Sequence, residues 1–202
     1  IGVGTFLSNV VFWRSDGYFA ESAELHPLLH TWSLAVEEQY YVLFPVFLLI
    51  SWRFGKSNVF WVIVGFAAIS LIISEWGWRN SPSANFYLAP SRAWEIFAGS
   101  ISAFLLHKRG GQSSNIFSLI GLLAVAFSMF TYDELTPFPS LYTLVPVTGV
   151  VLLIMFADKN TVVGRLLGNN AFVGIGLVSY SAYLWHQPLL AFSRRHLGSI
   201  DL

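Results

Sequence analysis

Leu34–Trp52 reads LAVEEQYYVLFPVFLLISW, and this stretch decides the class of fold. From Val42 to Ile50 it carries no charge and no polar side chain on any face. Barrel strands alternate apolar and polar residues in segments of about ten, and no such alternation is present. Its length approaches the roughly 20 residues that a helix needs to cross a bilayer. The whole chain agrees: of 202 residues, 55% are hydrophobic, 17% aromatic and 11% charged, with zero formal net charge and a mean hydropathy of +0.61. Soluble domains devote about a quarter of their residues to charge, so this composition cannot clothe a surface for water. Zero cysteines exclude a disulfide scaffold. The apolar content excludes intrinsic disorder, and the lack of a basic excess excludes electrostatic nucleic-acid binding.

Five further apolar stretches follow, at Asn58–Ser74, Arg92–His107, Asn115–Thr131, Leu141–Ala157 and Ala171–Phe192, each bounded by polar or turn residues. Ile1–Trp13 is apolar but too short to span, lacks a basic leader region, and reads as the tail of an earlier helix. The expected fold is all-α, a polytopic transmembrane helix bundle with about six complete spans plus that tail, taken from a longer bundle. Lysine and arginine between spans set its orientation. Lys56, Lys108 and Lys159, with Arg53, Arg109 and Arg165, share one side, assigned to the cytoplasm of an inner or plasma membrane. Arg14, Arg79 and Arg92 lie among acids on the other, external side, where Arg194 and Arg195 run against the bias. Two external loops, Arg14–Thr31 and Glu75–Pro90, are rich in aromatic, acidic and turn residues. They fit either an interfacial aromatic belt or a rim facing sugars.

Ionisable groups within a span cost at least a few kcal/mol each, so they need a partner, water or a function. Glu37 and Glu38 lie about one turn inside the external end of the first full span, followed by Gln39, Tyr40 and Tyr41. Ser33 and Glu37 share a face. A carboxylate pair there suits proton transfer, or caps an interfacial helix turn. Arg92 and Glu95 are three apart at another external helix entrance, spaced for an ion pair or for binding an anionic group. In the last span, Tyr180, Tyr183, His186 and Gln187 form a polar run before Pro188, which removes a backbone donor and exposes a carbonyl. Measured from the span ends at about 1.5 Å per residue, Glu37 and His186 fall at similar depth. The expected site is one outer-leaflet pocket lined by Glu37, Glu38, Arg92, Glu95 and His186. His26 and His30 have i, i+4 spacing but no third ligand follows, so no metal is expected. No glycine-rich phosphate loop is present either.

Leu25–Leu49, LHPLLHTWSLAVEEQYYVLFPVFLL, resembles the signature of the acyltransferase-3 family of integral membrane acyltransferases. Pro90–Leu106 (PSRAWEIFAGSISAFLL) and Ser179–Leu190 (SYSAYLWHQPLL) resemble that family's Arg-x-Trp-Glu and Tyr-Leu-Trp-His helices, in the same order. The resemblance covers essentially the whole chain. Residues 1–202 are then part of one transmembrane domain, without its N-terminal helices and final helix. Gln187 stands where the family often has Trp, and Tyr40 where it often has Phe. The family's essential Arg and His pair belongs to a first helix that would precede Ile1, so that role is not transferred to His186.

The resemblance implies transfer of an acyl group, commonly acetyl from acetyl-CoA, to a hydroxyl of an extracytoplasmic glycan such as O-antigen, exopolysaccharide or peptidoglycan. The expected partners are the lipid bilayer, acyl-CoA as donor substrate and a cell-surface glycan acceptor. No bound cofactor is expected, and these residues alone are expected to be inactive. Glu37 or Glu38 is the expected catalytic base, or the orienter of the family's histidine. His30, Trp32, Ser33, Tyr40, Arg92, Glu95, Tyr180, Tyr183 and His186 are the expected pocket residues. Two other readings remain open: a glycan-precursor transporter, and a non-catalytic membrane scaffold.

Overall fold

A computed structural model describes residue 2 and residues 4–15, 26–133 and 135–197. Most of the Arg14–Thr31 loop, residues 16–25, lies outside the described residues, as does Glu134. Among the described residues all regular structure is helical. The α-helices are α1 (Ser8–Ser15), α2 (Thr31–Ser51), α3 (Lys56–Asn80), α4 (Pro82–Tyr87), α5 (Ala89–Arg109), α6 (Asn115–Thr131), α7 (Leu144–Phe156), α8 (Val162–Leu167) and α9 (Asn170–Leu197). Each of the six apolar stretches coincides with a helix. Thr31–Phe54 and Lys56–Asn80 are both long and apolar enough to cross a membrane.

Several helices outrun their apolar stretches. α3 continues six residues past Ser74 because Glu75 and Arg79 pair one turn apart and keep the polar end wound. Hydropathy marks where the bilayer ends, and a helix is free to project beyond it. Turn chemistry then reverses the chain. After a 3₁₀ turn at Trp52–Phe54, Gly55 takes φ 92°, a conformation that a side chain would strain, and α3 begins at the next residue. Proline opens α4, and the hydroxyl of Thr161 accepts the amide of Gly164 to cap α8.

The tightest packing joins α3 to α5 and α6 to α7. At the second crossing Gly121 faces Gly149, where a Cβ on Gly121 would lie 2.7 Å from the Gly149 carbonyl oxygen and one on Gly149 2.9 Å from that of Gly121. Small residues allow such backbone contact in a bilayer, where van der Waals packing replaces the hydrophobic effect as the driving force. Between α3 and α5, the Ser70 hydroxyl donates to the carbonyl of Pro90 at 2.5 Å and accepts the Trp94 amide at 3.0 Å. The outward faces carry large apolar side chains such as Leu49, Ile72, Phe130 and Leu177, which is the surface that lipid would cover.

The connections sort to two ends. At one, Asn85 Nδ2 donates to the Pro139 carbonyl at 2.8 Å, the Leu141 amide donates to Glu75 at 3.0 Å, and Gln187 donates to the His26 carbonyl at 3.4 Å. At the other, the Ser114 amide donates to the Phe156 carbonyl and the Val162 amide to the Asn115 side chain. The sequence motifs all converge on the first of these ends.

Candidate functional site

The site begins in the first turn of α2. His26–His30 form a turn, and the Thr31 hydroxyl donates to the Leu28 carbonyl at 2.7 Å, so the helix is entered through a hydrogen-bonded bend. His30 and Ser33 then share one neighbour, Tyr183, while Trp32 meets another, Arg92. His30 is buried; its ring centroid lies 5.4 Å from Tyr183 and 5.6 Å from His186, both edge-on. The Tyr183 hydroxyl donates to the His30 carbonyl at 2.7 Å and shares a second hydrogen bond with Ser33. The Ser33 hydroxyl also donates to the His30 carbonyl at 3.1 Å, so both hydroxyls gather on that one acceptor. The imidazole of His30 is held below its ordinary pKa of 6.5, first by burial and then by the facing His186, so it is neutral at pH 7.

Trp32 turns the other way. Arg92 is 9% exposed, and its guanidinium carbon lies 4.6 Å from the Trp32 ring, 4.9 Å from Phe86 and 4.6 Å from Phe138. Its Nε donates to the Phe86 carbonyl at 2.7 Å, and Nη1 stands 3.7 Å from the Glu95 carboxylate. Arg92 Nη2 and Glu95 Oε1 are buried without a hydrogen-bond partner among the described residues. This is a preorganised cation in an aromatic box, with donor capacity still free.

The expected single pocket is therefore two clusters joined through the α2 entrance. Trp32, Arg92 and Glu95 form one; His30, Ser33, Tyr183 and His186 form the other. Glu37 is exposed and Glu38 half-buried, and neither makes a hydrogen bond or ion pair among the described residues. Tyr40 departs from the expected pocket: nine residues into α2, its hydroxyl bonds Ser100 on α5 and its ring stacks on Phe44 at 4.7 Å. Tyr180 is exposed, one turn from Tyr183. The helix α9 runs through Pro188 to Leu197. His26 and His30, spaced for a shared metal, take different neighbours instead: the His26 ring packs on Phe12 at 6.1 Å. Gln39 serves architecture, donating to Asn9 at 3.0 Å, while Asn9 in turn donates to the Tyr87 carbonyl.

Phe86 and Phe138 escaped the sequence reading. Phe86 lay in a loop already marked as aromatic, but Phe138 belongs to TPFPSLY, between two apolar spans, where only its prolines and aromatics gave a signal.

Among the described residues the structure is all-helical, with apolar outer faces, two helices long and apolar enough to cross a membrane, and polar side chains gathered at one set of helix ends, an arrangement consistent with a helical membrane protein. The profile of the acyltransferase domain, Acyl_transf_3, matches residues 1–202, and the chain belongs to that family. The provisionally named membrane-bound transacylase BcsY of Komagataeibacter xylinus is 32% identical over 91% of this chain and 46% of its own length. The peptidoglycan O-acetyltransferase OatA of Listeria monocytogenes is 26% identical over 93% of this chain and 33% of its own. A Bacillus subtilis protein provisionally named peptidoglycan O-acetyltransferase, YrhL, is 26% identical over 93% of this chain and 32% of its own. The chain thus spans 32–46% of the length of these relatives. No solved structure matches it.

Proposed function

We propose that the full-length protein is a multi-pass plasma-membrane acyltransferase that moves an acyl group, acetyl by analogy with OatA, from a CoA thioester to a hydroxyl of an extracytoplasmic glycan. The observation that carries this reading is the family match over the whole chain. Its signature residues on α2, α5 and α9 meet at one end of the bundle. In this reading α2, α3, α5, α6, α7 and α9 cross the bilayer, and the motif end faces outward. The lysines of the opposite end attract the donor's phosphates from the cytoplasm. The acceptor oxygen attacks the thioester carbonyl; a C–O bond forms, the C–S bond breaks, and the thiolate leaves while a base takes the hydroxyl proton. Arg92 stabilises negative charge developing on the carbonyl oxygen. Glu37 or Glu38 handles the proton or orients the family's histidine, and Tyr183 and His186 line the acceptor's path.

The test compares cell-surface glycans by mass spectrometry with and without the full-length gene, and with Glu37→Gln, Glu38→Gln and the double variant. Loss of ester-linked acyl groups on deletion and in the double variant, with membrane insertion intact, is expected. Unchanged glycans on deletion would overturn the activity, and wild-type acylation in all three variants would overturn the carboxylates' role.

A further inference from the structure

α2 and α5 face one another along a seam that is bridged at the level of Tyr40. There the Tyr40 hydroxyl bonds Ser100, and the Tyr40 and Phe97 rings lie 5.6 Å apart. Below that bridge, toward the end opposite the motifs, the helices stand apart around a cavity of about 470 Å³, with Leu48 and Trp52 facing Ala103 and Phe104. A second cavity of about 490 Å³ lies between the start of α3 and the last turns of α5, against Phe60 and Trp61. Lys56, Phe104 and His107 border both, so the two share one mouth.

The mouth is cationic. The Lys56 ammonium lies 5.7 Å from the Trp52 ring, and Lys108 lines the second cavity beside it. Neither lysine pairs with a carboxylate among the described residues. The acid in the connections at this end, Asp158, accepts the Asn160 side-chain amide at 3.1 Å within its own loop.

The crevice has the depth of a leaflet. Trp52 and Tyr40 are separated by about 18 Å of helix, against about 15 Å for half of a hydrocarbon core of roughly 30 Å. It also opens sideways: Trp52 is 47% and Trp61 65% exposed, on faces that lipid would cover. A soluble phosphate compound would satisfy the lysines and leave a leaflet's depth of apolar wall bare. A further helix would cover the walls and leave two lysines without counter-charge. A molecule with a hydrocarbon chain and an anionic head meets both conditions, and the phospholipids of that leaflet already stand in this orientation. Basic pockets between helices at the cytoplasmic side recruit anionic headgroups in the same way.

We propose that this crevice holds one anionic phospholipid, with an acyl chain against Leu48, Trp52 and Ala103 and its phosphate between Lys56 and Lys108. A lipid seated there fixes the separation of α2 and α5, whose far ends carry Trp32 and Arg92. The inference uses the membrane reading of the bundle and not the acyl-transfer chemistry.

The test titrates phosphatidylglycerol and phosphatidylcholine of identical chains into the full-length protein in detergent micelles, with native mass spectrometry reading bound lipid. Phosphatidylglycerol is expected to bind at least tenfold tighter. Lys56→Gln and Lys108→Gln should each weaken it by about fivefold, the value of one basic residue against an anionic headgroup, and leave phosphatidylcholine within twofold. Both lysines are exposed, so their variants keep the fold. Ala103→Trp fills the crevice from α5 and should weaken both lipids tenfold or more. Equal affinity for the two lipids, or wild-type phosphatidylglycerol binding in the double lysine variant, overturns the proposal. So does wild-type binding in Ala103→Trp, which would place the lipid elsewhere. No bound lipid at all, as when another helix of the full-length chain fills the seam, overturns it too. Coenzyme A is the soluble phosphate control: its displacement of the lipid at equal concentration would assign the mouth to a nucleotide and overturn the lipid. Because no acyl donor enters the titrations, failure of the acyl-transfer reading leaves their outcome unchanged.

Discussion

Replacing Arg92 offers the sharpest check on the aromatic-box geometry. The guanidinium gives one short hydrogen bond to the Phe86 carbonyl, three ring contacts and a 3.7 Å approach to Glu95. Truncating one member of a buried ion pair costs about 3–5 kcal/mol, because the partner charge is stranded. Hydrogen bonds to charged groups contribute about 1.5–3 kcal/mol, and a desolvated cation–π contact about 2 kcal/mol. These figures overlap and do not add, so Arg92→Ala is expected to cost about 3–5 kcal/mol in total. At 3.7 Å the ion pair is long, so most of the loss resides in the carbonyl and the rings.

The decisive observation is a change of sign. Glu95→Gln alone strands the buried Arg92 guanidinium in its turn and should destabilise as well, by no more than about 3–5 kcal/mol, since the pair stands 3.7 Å apart. In the Arg92→Ala background it should stabilise, because it removes an uncompensated buried carboxylate. Reversible unfolding of the full-length protein in mixed micelles, titrated with dodecyl sulfate, measures all four corners of the cycle. An interaction energy below about 0.5 kcal/mol would mean the two side chains are energetically independent, and the box reasoning would fail.

Other residues give separate checks. Gly121→Ala pushes a Cβ against the Gly149 carbonyl, which is backbone and cannot rotate away; a loss of about 1–3 kcal/mol is expected in the same titration. An unchanged midpoint would refute the close crossing. Tyr183→Phe removes the bond to the His30 carbonyl and the contact with Ser33, which keeps its own bond to that carbonyl, for about 0.5–1.5 kcal/mol; full stability would show the cluster to be incidental. The lowered pKa of His30 makes stability depend on pH in one direction. Between the folded value and 6.5 the unfolded chain binds a proton that the folded chain refuses, so stability is full above 6.5 and falls as pH drops below it. Melting temperature followed from pH 8 downward should show a shallower decline in His30→Gln than in the wild type, and parallel curves would contradict the burial argument.

The sequence reveals the helices readily because a bilayer imposes one rule on every spanning residue, and Val42–Ile50 obeys it on all faces. That same uniformity conceals the site. An apolar helix shows no preferred face, so nothing in its pattern tells which way residue 37 or 40 points. Glu37 is exposed, Tyr40 finds Ser100 across the bundle, and Tyr180 faces outward although Tyr183 is engaged. Residue counting placed Glu37 and His186 at similar depth, whereas His186 meets His30 at the α2 entrance, about two turns from Glu37, and rotation about the axis was not legible at all. The extension of α3 to Asn80 and the short helices α4 and α8 also lay beyond reach, since local turn chemistry and an ion pair outside the bilayer determine them.

The spacing of the α2 signature has a geometric cause. Successive helical residues turn by about 100°, so His30 and Ser33, three apart, lie within about 60° of one another and both reach Tyr183 on α9. Trp32 lies about 100° from Ser33, which turns its ring to Arg92 on α5. One turn of helix therefore docks two elements separated by some ninety residues of chain, and it does so with adjacent side chains that could not exchange places. An aromatic ring at position 33 would displace the Tyr183 hydroxyl, and a serine at 32 would leave the guanidinium without one wall of its box. The continuous motif is thus the imprint of a junction: the chain must place a donor, a ring and an imidazole within a single turn because α5 and α9 approach α2 from different sides at the same height.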